Sequence, residues 1–116
     1  MIGETKNMAI EIGKIADAKK GQDIVILDIR QISSFADYFV IASGTSTRHV
    51  KAIADEIEDQ MKDKGFELNH KEGYDSGTWI LMDYNTVIVH IFIEEQRSFY
   101  SIERVWRDAT QLGIDI

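Results

Sequence analysis

Chemistry in this sequence would start from Gly44-Thr45-Ser46, which follows an apolar run and precedes a helical pattern. Such a turn points free backbone N–H groups at an anion, so it suits a phosphate. Phosphoryl transfer with two metals also needs two or three carboxylates converging on one place. An acidic pair two residues apart on the next strand would put both on one face. The next candidate strand, Phe66-Glu67-Leu68-Asn69, offers one Glu, and Asp83 would be a lone third carboxylate. A lone carboxylate does not hold two metals, and capping the following helix is the simpler role for Thr45 and Ser46. The three histidines, His49, His70 and His90, lack HExxH-type spacing, so no zinc site is expected. The absence of cysteine excludes thiol catalysis and disulfides, and no serine sits in a nucleophile-elbow context. The expectation is a protein with no catalytic residue, no metal and no cofactor.

Recognition chemistry is concentrated in residues 78–94, TWILMDYNTVIVHIFIE. Two runs of β-branched and aromatic residues flank a polar break at Asp83-Tyr84-Asn85-Thr86, which predicts a β-hairpin. Asn85 tolerates the positive φ that tight turns need. With Tyr84 and Asn85 as the turn, Asp83 lies opposite Thr86, Leu81 opposite Ile88 and Trp79 opposite His90. Side chains alternate across a strand, which gives the hairpin two unlike faces. Thr78, Ile80, Met82, Val87, Val89, Ile91 and Ile93 make one, almost wholly apolar and suited to packing under helices. Trp79, Leu81, Asp83, Thr86, Ile88, His90, Phe92 and Glu94 make the other. Its mixture of aromatics, aliphatics, a carboxylate and an imidazole suits contact with another molecule, because aromatic anchors dominate interface energies. The plainer alternatives are a core-packed Trp79 and a half-buried His90 that only shapes the sheet.

Bulk composition narrows the partners. A chain of 116 residues is one domain, 1–116, on size, and is long enough to bury a core unaided. Its N-terminus is amphipathic and mixed in charge, unlike a signal peptide, and no apolar run approaches membrane-spanning length. A cytoplasmic location is the default. Thirteen basic residues against twenty acidic ones give a net charge of −7. Nucleic-acid affinity rests on Lys and Arg neutralising phosphates, so little direct binding to nucleic acid is expected. A basic partner fits better, and complementary charge would speed encounter.

The elements that must position these residues follow from periodicity. Ala9, Ile12, Ile15 and Ala16 recur at helical spacing over residues 5–20, and Gly21 is a natural stop. The run 23–29, continuously apolar from Ile24 to Leu27, predicts a central strand buried on both faces. A second strand is expected over 38–43, then a helix with Val50, Ile53, Ala54, Ile57 and Met61 in one stripe. A short strand at 66–69, a loop at 70–77 and the hairpin come next. A last helix is expected near Ser98, with Phe99, Ile102, Trp106 and Ala109 inward, and the tail 112–116 is expected to be frayed or a packing extra. The fold class is α/β, a mixed sheet of four to five strands with about three helices. Three helices cover one sheet face well and two thinly, so one face is expected to be partly open.

Several segments taken together resemble one family. They are Gly21-Gln22-Asp23-Ile24-Val25 with Leu27-Asp28, then 37–46, DYFVIASGTS, and 79–84, WILMDY, with 87–92, VIVHIF. Arg97, Phe99-Tyr100, Glu103-Arg104 and Trp106 complete the set. Over residues 5–110 the chain is similar to the ribosomal silencing factor, RsfS or Iojap, family. It departs at the Tyr84-Asn85 turn, where a glycine is common, and in the tail after Ala109. The resemblance implies a nucleotidyltransferase-like fold without catalysis. It implies binding to the large ribosomal subunit through its L-fourteen-family protein, a steric block on subunit joining, and lowered translation under nutrient limitation. Organelle relatives are linked to large-subunit assembly, and homodimers occur in the family. Carried onto this chain, the resemblance points to Trp79, Leu81, Asp83, His90 and Phe92 as partner-binding residues, with Tyr38 extending the patch if its strand neighbours the hairpin. Trp79, Leu81 and Phe92 would anchor, Asp83 would pair with Lys or Arg, and His90 would hold Trp79 or donate a hydrogen bond.

Overall fold

The computed structural model describes residues 2–31, 33–95 and 110–112. Helix α1 (Ile2–Ala18) buries Met8, Ala9, Ile12, Ile15 and Ala16, which fall on one side at helical spacing. Helix α2 (Thr47–Asp63) does the same with Val50, Ile53, Ala54, Ile57 and Met61. Ser46 is its N-cap, the Oγ accepting from the His49 backbone N–H at 3.1 Å. At the other end the Phe66 N–H reaches back to the Met61 carbonyl at 2.9 Å and closes the last turn.

The strands are β1 (Gln22–Asp28), β2 (Tyr38–Gly44), β3 (His70–Glu72), β4 (Trp79–Asp83), β5 (Val87–Ile93) and β6 (Thr110–Leu112). They form one mixed sheet in the order β3-β4-β5-β2-β1-β6. β2 and β5 run parallel, and the other neighbouring pairs are antiparallel. The α/β class and mixed sheet expected from the pattern are present. Thr110–Leu112, of which only Leu112 fell in the tail expected to be frayed or a packing extra, adds a short sixth strand against Ile26–Asp28 of β1. The helix expected from Ser98 lies outside the described residues.

Three local expectations are corrected. β2 is the central strand, buried along its whole length, while β1 leaves its first residues exposed. An apolar run cannot say which of two neighbours lies inside, and β1 is one strand from the edge. The weak strand falls at His70–Glu72, not at 66–69, because the Asn69 N–H to the Asp83 carbonyl, 2.9 Å, starts its ladder. The hairpin pairs Trp79 with Phe92, Leu81 with His90 and Asp83 with Ile88, two residues away from the expected register. Its loop is Asn85-Thr86, closed by the Tyr84 N–H to the Val87 carbonyl at 2.9 Å. A slip of two keeps the side-chain parity, so both predicted faces survive.

Those faces define the layers. Ile80, Met82, Val87, Val89 and Ile91 pack with Val40, Ala42 and both helices in the larger core. The opposite face carries Leu27, Phe39, Ile41, Ile88 and Phe92, with Val25, Trp79 and Leu81 partly exposed around them. The sheet is therefore unevenly covered, and its open part lies at β4.

Candidate docking surface

Trp79 is placed by three strands. It is the first residue of β4, half-buried, with its indole over Phe92 of β5 at a centroid separation of 5.1 Å. Its Nε1–H donates to His90 Nδ1 at 3.2 Å. That bond makes Nδ1 the acceptor, so the neutral ring carries its proton on Nε2. His90 is 5% exposed, and Nε2 has no protein partner among the described residues. Burial holds the His90 pKa down to about 4, so the imidazole is neutral at physiological pH. Phe39 of β2 meets the same ring edge-on at 4.8 Å, and His90 stacks on Phe92 at 6.2 Å. The indole is thus fixed in orientation while part of it stays open to solvent.

Leu81 and Asp83 follow Trp79 on the same side of β4, and both are half-exposed. One Asp83 oxygen, Oδ1, accepts from the Asn85 N–H at 2.7 Å and fastens the turn. Among the described residues no Lys or Arg pairs with Asp83.

The structure separates five of the six expected contact residues into two sets and puts the sixth, Tyr38, on the other face. Trp79, Leu81 and Asp83 reach the surface together. His90 and Phe92 lie beneath them, and Phe92 is fully buried, so its expected anchoring role is corrected to support of the indole. Tyr38 is corrected as well. Its strand does neighbour the hairpin, but it pairs with Val87, whose parity belongs to the helix side. There Tyr38 is 1% exposed, with the Arg30 guanidinium 5.4 Å from its ring centre. Phe39 is the β2 aromatic on the docking side, where it is 4% exposed and lies beneath the surface with His90 and Phe92. β2 is apolar on both faces, so no alternation in the sequence marked which of the two lay on that side. Phe35, 62% exposed and 6.2 Å from Phe39, continues the aromatic row to the rim. An aromatic side chain in the polar connection 33–37 was the signal for it.

Thr45 and Ser46, at the turn that would suit a phosphate, are engaged within the chain. Ser46 Oγ caps α2, and the Thr45 N–H donates to His49 Nδ1 at 2.9 Å. His49 Nε2 donates in turn to the Lys19 carbonyl at 2.8 Å and ties the end of α1 to the start of α2. His70 lies on edge strand β3, with Nε2 3.4 Å from the Glu72 carboxylate. Among the described residues no three His, Asp or Glu side chains gather as metal ligands, and no helix is long and apolar enough to cross a membrane.

Comparison with known proteins gives a consistent result. The sequence profile of a family described as "Ribosomal silencing factor during starvation" matches residues 3–116. The chain is 42% identical over 99 residues to the ribosomal silencing factor RsfS of Bacillus subtilis, covering 85% of this chain and 84% of that protein. It is 30% identical over 91 residues to a Mus musculus protein named "Mitochondrial assembly of ribosomal large subunit protein 1", covering 76% of this chain and 40% of that one. A crystal structure of a protein from Chromobacterium violaceum matches with a TM-score of 0.82 at 32% identity, over 100% of this chain and 93% of the other.

Proposed function

The chain belongs to the ribosomal silencing factor family, and on that premise we propose that it works by occupying a surface of the large ribosomal subunit rather than by turning over a substrate. The partner is the subunit's L-fourteen-family protein, and the consequence is a steric block on subunit joining in the cytoplasm. The observation that carries this reading is the Trp79 indole, half-exposed yet clamped by His90 and Phe92, beside Leu81 and Asp83. An aromatic already held in one orientation loses little conformational entropy on binding. Leu81 extends the apolar contact, and Asp83 meets a basic group, which the net charge of −7 also favours. Trp79→Ala is expected to weaken co-sedimentation with large subunits about tenfold or more while leaving the protein folded. Binding unchanged in that variant would remove Trp79 as the anchor.

A second reading is supported by the name of the mouse relative, which speaks of large-subunit assembly. The same surface would then dock on a precursor. Loss of the protein would change the profile of large-subunit precursors under the assembly reading. It would change the rate of subunit joining, with a normal profile, under the silencing reading.

A further inference from the structure

Residues 73–77 run from β3, on the sheet edge, to the docking strand β4. Gly73 has φ +79, and a Cβ there would lie 2.0 Å from the Trp79 carbonyl oxygen. No side chain fits without pushing the Trp79 peptide aside. The Gly73 carbonyl accepts from the Gly77 N–H at 3.0 Å and closes the loop. Gly77, at φ +70, is pressed against α2, where a Cβ would meet the Thr47 Cβ at 3.0 Å. Tyr74 fastens the middle. Its hydroxyl donates to Asp55 Oδ2 of α2 at 3.0 Å, and its ring lies 4.5 Å from Lys71 Nζ and 5.6 Å from Lys51 Nζ. Lys71 also donates to Glu58 of α2 at 2.7 Å. The loop therefore rests on α2 on one side and on the Trp79 main chain on the other.

We propose that the 73–77 loop is the positioning device for the Trp79 anchor, coupling α2 to the docking face, with Gly73 and Tyr74 as its positioning residues. The proposal rests on the docking reading above. The indole must meet His90 Nδ1 at 3.2 Å and the Phe92 ring at 5.1 Å together. A peptide displaced by bulk at position 73 carries the indole away from both. Without Tyr74 the loop loses its hold on α2 and gives Trp79 the same freedom.

The Trp79 indole N–H resonance, assigned with Trp79→Phe, reports the bond to His90 with no partner present. Gly73→Ala and Tyr74→Ala are expected to move it upfield and to weaken large-subunit binding about tenfold. Tyr74→Phe, which keeps the ring and loses only the Asp55 bond, gives a smaller change in both. In a Trp79→Ala background, Gly73→Ala adds less than about twofold, because the anchor it positions is gone. Folded Gly73→Ala and Tyr74→Ala proteins with a wild-type indole resonance would overturn the proposal, as would a full effect in the Trp79→Ala background. Should Gly73→Ala fail to fold, Tyr74→Ala carries the same test. If Trp79→Ala alone leaves binding intact, the docking reading falls and the indole resonance by itself decides the positioning role.

Discussion

His90 shows how one residue ties recognition to stability. In the unfolded chain it titrates near 6.5, and in the folded protein burial holds it down to about 4. Between these values the unfolded state takes up a proton that the folded state refuses. The stability tied to neutral His90 is therefore complete above about pH 6.5 and declines as pH falls toward 4, by at most about 3 kcal/mol. Urea unfolding at pH 7.5 and 4.5 measures the loss. His90→Phe is expected to lose less between the two, since carboxylate titration is common to both proteins. An equal loss would show that His90 is not the source. Protonated Nδ1 would also face the Trp79 N–H, donor against donor, so in the folded protein the indole loses its clamp as pH falls through about 4. The identity of this pair was readable from alternation on the hairpin. The direction of its hydrogen bond, and the burial that makes it matter, required β2 alongside.

At the scale of elements, the hairpin was recognised correctly and registered wrongly. Alternation sets the parity of a strand, and parity is blind to a slip of two residues. What decided the register is the turn. Asn85 takes φ 73, its N–H is held by Asp83 Oδ1, and a two-residue loop suffices. The left-handed region at position 85 predicts a sharp order among variants. Asn85→Gly is expected to keep or raise the thermal midpoint, while Asn85→Val lowers stability by about 1–3 kcal/mol. A Val variant melting with wild type would mean that the turn does not hold this strain. The same reasoning explains Tyr38. Its strand does lie beside the hairpin, which was the condition for its part in the patch, but the parallel register of β2 on β5, Tyr38 against Val87, turned it inward.

At the scale of the whole molecule, the excess of acid over base bears on encounter rather than on fold. Asp83 stands on the open face with no cationic partner among the described residues, so the local charge agrees in sign with the net charge of −7. Raising ionic strength from about 0.05 to 0.3 M is expected to slow association with large subunits several-fold and to leave dissociation nearly unchanged. Stopped-flow association of labelled protein measures it. A rate indifferent to salt would remove electrostatic steering from the docking reading and leave the apolar contact.

The sequence by itself determined the elements with a period, namely two amphipathic helices, the apolar strands and a hairpin with one core face and one mixed face. It also excluded thiol chemistry through the lack of cysteine, and the family resemblance lay in the order and spacing of its segments. These are local properties, written in neighbours three, four or two residues apart. The tertiary structure decided which strand is central, which aromatic on β2 lies on the docking side of the sheet, and that Phe92 lies under Trp79 instead of beside it. It also decided that Gly73 must be small, because the atom that forbids a side chain there is the Trp79 carbonyl on another strand. Contacts between separate elements follow from how strands pair and stack, and no periodicity within one strand encodes that choice.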